Sequence, residues 1–191
     1  MSRTTYRLGD LTRALRGRVP ANTVPDPDGP RFFGIAEISA RGRSAPRYVE
    51  RSSSVEDAVI LIGGDVVVAL LGNIGDATLV DDINAGAVLG RECVALRVTS
   101  PDALRPAWLC AWMSSEEFRS QVAQNTSGTT MPRLSTKALA DFTMAVPPLE
   151  KQVEIEELVG RFDAAIATTA TTLQQLEALR IAELQLGMAK R

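Results

Sequence analysis

The sequence predicts an α/β domain, an α+β arrangement with a mixed sheet, followed by one long C-terminal helix. Three observations carry this. Residues 66–71 form a continuous apolar run that ends in Gly72-Asn-Ile-Gly75 and is followed by a second apolar stretch at 77–80, which reads as a buried strand entering a hairpin. Strand-like and helix-like segments then alternate up to Pro147-Pro148. From Glu150 to Leu186 the pattern changes: proline is absent, Gly160 is the single glycine, and Leu, Ala, Glu and Gln dominate. The expected division is a globular domain over 1–148 and a helix over 149–191.

Within the first part, residues 6–15 read as a short N-terminal element in which Asp10 caps a helix turn. The Pro/Asp/Gly-rich stretch 19–30 reads as loop and 31–38 as a strand. Residues 41–54 are polar and rich in Arg and Ser, which suits an exposed loop or hairpin. A further strand is expected at 92–98. Helices are expected at 106–113 and 115–122, the second opened by a Ser115 cap and two acids. A polar loop at 125–133 and a last strand at 142–146 complete the domain.

The C-terminal segment places Ile155, Val159, Phe162, Ile166, Thr169, Leu173 and Leu176 at alternating steps of four and three, a heptad seam. Beyond Leu176 the apolar line shifts to Leu179, Ala182 and Leu186. A helix of this extent is ~55 Å long at 1.5 Å per residue. That is too long to lie wholly on so small a domain, so a helical packing partner is expected. The Thr-rich centre, Thr168-Thr169-Ala-Thr171-Thr172, favours helix only moderately and strengthens that need.

Composition is that of an ordinary globular protein, 45% hydrophobic and 23% charged, with no run long enough to span a membrane. The N-terminus lacks the apolar stretch of a secretory signal, so the expected location is cytoplasmic. Cys93 and Cys110 lie in apolar surroundings and read as buried free thiols. The net charge of −2 is unevenly distributed. Residues 1–51 carry ten arginines against five acids, whereas the remaining two stretches, 52–149 and 150–191, are both net acidic. Guanidinium groups pair bidentately with phosphate and with guanine edges, so the N-terminal excess suits a DNA face; a solvated face with no partner is the bland alternative.

Enzymatic chemistry finds little support. The chain has no histidine, which removes the commonest general base and metal ligand. There is no phosphate-binding P-loop and no GxGxxG fingerprint, and Pro147-Pro148 lacks the Asp/Asn-Pro-Pro-aromatic pattern of adenine methyltransferases. Asp81-Asp82 reads as a solvated turn, and Gly63-Gly64-Asp65 and Gly72-x-x-Gly75 as turn glycines. No cofactor or metal is expected.

Several segments, in order, resemble one half of the specificity subunit of type I restriction-modification systems. Leu8-Gly9-Asp10 stands near the start, and Gly64-Asp65-Val-Val-Val with Gly72-Asn-Ile-Gly75 is similar to the family's central hairpin. Trp108-Leu109 through Phe118 resembles its helical pair, and Gly128-Thr-Thr-Met-Pro-Arg-Leu-Ser135 a following loop. The junction Pro147-Pro148-Leu-Glu-Lys-Gln152-Val-Glu-Ile155 is the most specific piece, continued by Phe162-Asp-Ala-Ala-Ile166.

The resemblance implies a non-catalytic target-recognition domain that reads half of a bipartite double-stranded DNA site. It also implies a helix that sets the spacing between halves and docks an adenine methyltransferase subunit, with a motor–nuclease subunit as a further partner. S-adenosylmethionine and ATP would be used only by those partners. Family members carry two such units and this chain one, so a homodimer reading an inverted repeat is expected. The candidate DNA contacts are Arg41, Arg43, Arg47, Arg51, Thr129, Thr130 and Arg133, arginine for guanine O6/N7, threonine for phosphate or the thymine methyl. A surface ion pair is the alternative for any one arginine. The dimer or partner helix would use Ile155, Val159, Phe162, Ile166, Leu173 and Leu176. Two competing readings are a protein that binds methyltransferase subunits through the helix without reading DNA, and a free-standing DNA-modifying enzyme.

Overall fold

The computed structural model describes residues 4–19, 23–24, 27–42, 44–49, 57–128 and 130–189, the side chains of 23 and 186–189 excepted. The chain divides into two compact units, Met1–Gln152 and Val153–Arg191.

In the first unit β1 (Thr4–Arg7) leads into the single-turn helix α1 (Leu8–Leu11) and then β2 (Thr12–Arg16). Asp10 is not the N-cap, which is Arg7; it lies at the turn's third position, and its carboxylate reaches back to accept from the Arg7 N–H at 3.3 Å. The strand at 12–16 was not anticipated. It is an edge strand with mostly exposed side chains, so it shows no apolar alternation. Next come β3 (Thr23–Val24), β4 (Arg31–Phe33), α2 (Ile35–Ser39) and β5 (Arg47–Val49). The strand expected over 31–38 therefore stops at Phe33. Gly34 takes the N-cap position, and Glu37, three residues on, accepts from its N–H at 2.8 Å, turning the chain into a helix.

The hairpin β6 (Val66–Ala69) and β7 (Ala77–Leu79) forms as expected, followed by β8 (Val88–Leu89) and β9 (Cys93–Val98). The central antiparallel sheet runs β2-β9-β6-β7, and a second sheet runs β3-β5-β4-β8 with its last pair parallel. The helices α3 (Pro106–Trp112) and α4 (Glu116–Asn125) follow, with the Ser115 hydroxyl accepting from the Phe118 N–H. A short α5 (Thr136–Ala140) and β10 (Thr143–Val146) lead to α6 (Leu149–Ala189). β10 pairs with β1 in a separate two-stranded sheet.

The continuous apolar character of β6 has a simple cause: both of its faces are covered. Val66 and Val68, with Val94 and Leu96 of β9, pack with Trp108, Leu109, Phe118 and Val122 of α3 and α4. Val67, Ala69, Cys93 and Ala95 pack on the other side with Phe33, Ile38 and Leu89. A third small cluster joins Val19, Phe32, Val49 and Val88. Cys93, in the second of these clusters, is buried as expected, and burial, with Glu92 and Glu37 nearby, pushes its thiol up to about 12. Cys110 is only half-buried.

The N-terminal end of α6 is tied to the first unit by Gln152. Its buried carboxamide accepts from the Arg105 N–H at 2.8 Å and donates to the carbonyls of Ala103 and Pro147 at 2.8 and 2.9 Å. The helix is 41 residues long. In the second unit Ile155, Phe162, Ile166, Leu173 and Leu176 are exposed and Val159 is half-buried. Leu158, Ile181 and Leu184 add exposed apolar surface beside that line. No described helix is long and apolar enough to cross a membrane.

Candidate nucleic-acid interface

One end of the central sheet gathers the loops in which DNA contacts were expected. β6 runs towards the turn at 72–75, where Gly72 and Gly75 adopt φ of 68° and 82°, the left-handed region that glycine enters without strain. A side chain at Gly75 would come within 2.9 Å of Val122, so the turn is seated closely on α4. The loop at 126–134 reaches the same place. Ser127 and Arg133 exchange two backbone hydrogen bonds of 3.1 and 2.9 Å, and the Leu134 N–H donates to the Leu70 carbonyl at 3.0 Å. From the other side, Asn73 Nδ2 donates to Ser39 Oγ at 3.3 Å, bringing in the end of α2. Two segments far apart in sequence thus meet on one hairpin tip.

The expected contact residues divide accordingly. Thr130 and Arg133 are exposed on the 126–134 loop. Arg41 is exposed just beyond α2, in a left-handed conformation (φ 51°) followed by Gly42 at 73°. The side chain of Asn84 holds this turn by donating to the Gly42 carbonyl, while its own oxygen accepts from Arg31. Arg43, Arg51 and Thr129 lie outside the described residues.

Arg47 has a structural post. Its guanidinium makes two short bonds to the Glu37 carboxylate, 2.7 and 2.6 Å, and stacks 5.0 Å from the centre of the Phe32 ring. Burial alone would raise the Glu37 pKa, but hydrogen bonds from Arg47 and the Gly34 N–H outweigh it and hold the carboxyl below its ordinary value. The same hydrogen bond raises Arg47, against the cost of burial. This guanidinium is committed within the domain, so its assignment as a base contact gives way to the ion-pair alternative. Arg97 and the fully buried Asp65 form a comparable bidentate pair at 2.8 Å, with Asp65 also accepting from the Ile62 N–H.

Two features were passed over in the sequence. Met131, 73% exposed, lies between Thr130 and Arg133. The Gly34–Glu37 spacing of three, a capping signal, was passed over when 31–38 was read as a strand. Among the described residues, no three Cys, Asp or Glu side chains gather as a metal site.

Comparison with known proteins agrees with this architecture. The chain is similar to a chain from a structural study of assembly and conformational transition in the type I R-M system, with TM-score 0.67 and 20% identity over 93% of this chain. It is also similar to the HsdS subunit from Thermoanaerobacter tengcongensis (TM-score 0.62, 20% identity, 87% of this chain). A third similar structure is the type I restriction-modification S subunit from M. genitalium (TM-score 0.63, 14% identity, 90% of this chain). This chain spans 42%, 38% and 41% of those three chains. No curated protein sequence matches it. The family model for the type I restriction modification DNA specificity domain matches residues 3–178, nearly the whole sequence, and the chain therefore belongs to that family.

Proposed function

We propose that the chain is a non-catalytic DNA-recognition subunit that reads one half of a bipartite site with the loops gathered at the hairpin tip. The carrying observation is their convergence: the 126–134 loop is bonded to Leu70 and the end of α2 to Asn73. Arg133 suits a guanine edge, Thr130 a phosphate, and Met131 the methyl group of thymine. Arg41 extends the same reading on the α2 side.

The exposed apolar line on α6 supports pairing with a second copy, which would make the target an inverted repeat. The same helix would dock an adenine methyltransferase subunit, which supplies the S-adenosylmethionine chemistry. A motor–nuclease subunit would join through that assembly, all in the cytoplasm.

Selection from random duplexes, by the chain alone and with a methyltransferase subunit, tests this. The expected result is a split, two-fold symmetric motif. No enriched motif in either condition overturns it and favours a protein that binds methyltransferase subunits without reading DNA. The overall acidic balance and the internal use of Arg47 are the observations on that side.

A further inference from the structure

Arg16 ends β2, the edge strand of the central sheet. The register places it opposite Val94, and Cys93 opposite Ala69, so Arg16 stands at the same sheet end as Leu70 and the hairpin tip. Its backbone position is tightly fixed. The next residue, Gly17, donates to the Cys93 carbonyl at 3.1 Å, and a Cβ there would lie 2.0 Å from the Gly90 oxygen.

Charge at this end is unlike that of the chain as a whole. Among the described residues, three acids close in sequence to the strand ends and the turn are already paired: Glu92 with Arg91 at 3.2 Å, Asp76 with Arg119 at 2.9 Å, and Glu37 with Arg47. Arg16 is exposed and forms no ion pair among the described residues. Three strand spacings of ~4.8 Å separate β2 from β7, about 14 Å across the sheet. The major groove of B-DNA is ~12 Å wide. A loop entering the groove beside the hairpin would therefore leave Arg16 over the phosphates that bound it.

We infer that Arg16 is a phosphate contact flanking the groove read by the loops; this rests on the DNA reading above. Such a contact positions the domain and carries no sequence information. It contributes to binding largely by counterion release, close to one unit in the salt dependence.

The test compares wild type, Arg16→Gln, Arg16→Lys and Arg133→Gln of the full chain with its methyltransferase subunit, on the selected duplex and on random duplex. Arg16→Gln should weaken both by the same several-fold factor and lower the slope of log affinity against log salt by about one. Arg16→Lys should restore the slope, and Arg133→Gln should instead alter the selected motif. An unchanged slope and affinity in Arg16→Gln, or a changed motif, overturns the inference while leaving the recognition reading intact. A wild type without any selected motif overturns that reading and this inference together.

Discussion

The Arg47–Glu37 pair shows how an arginine in a promising loop can be committed to folding. Glu37 is nearly fully buried and accepts from both Arg47 and the Gly34 N–H, so removing the guanidinium would leave a buried charge held only by backbone N–H groups. Arg47→Ala should cost about 3 kcal/mol in denaturant unfolding, the low end for breaking a buried pair. Its motif preference, measured well below the unfolding midpoint, should be that of wild type. Because folding lowers the Glu37 pKa, the folded state binds fewer protons here than the unfolded chain. The pair's stabilisation is therefore full above the ordinary carboxylate value and fades as pH falls through the lower folded one. Glu37→Gln should flatten that acid-side loss; an acid limb identical to wild type would show that Glu37 is not its source.

At the scale of elements, the start of α6 depends on one side chain. Gln152→Leu would strand the Arg105 N–H and the carbonyls of Ala103 and Pro147. A buried polar group left unpaired costs ~1–3 kcal/mol, so a loss of about 3 kcal/mol in unfolding free energy is expected, and less than 1 kcal/mol would show that water replaces the carboxamide. The junction was readable in the sequence because Pro147-Pro148 and the change of composition coincide there. The β6–β7 hairpin was readable because burial on both faces leaves an unbroken apolar run between glycines. β2 was not, since an edge strand that exposes arginines carries no periodic signal. The turn into α2 was missed for a different reason: three apolar residues, Phe32, Phe33 and Ile35, outweighed the Gly34–Glu37 cap. Among candidate contacts, the loop positions of Arg41, Thr130 and Arg133 followed from composition. The loss of Arg47 to an acid ten residues away is a tertiary fact that no local pattern encodes.

For the whole molecule, Phe162 and Ile166 are 60% and 49% exposed in the second unit. On the pairing proposed above, replacing both with Asp should leave a monomer in sedimentation and weaken binding to a two-fold target, with the thermal transition of the first unit unchanged. A dimer that persists would show that the apolar line on α6 is not the contact. The arginine-rich end of the central sheet has its own consequence, in the approach to DNA rather than in the bound state. On the DNA reading proposed above, a chain of net charge −2 that holds arginines at one end would meet a polyanion favourably through that end. Collisions in other orientations would then be short-lived, and the duplex would select the molecule's heading before any base is touched. Added salt would blunt this selection and slow association.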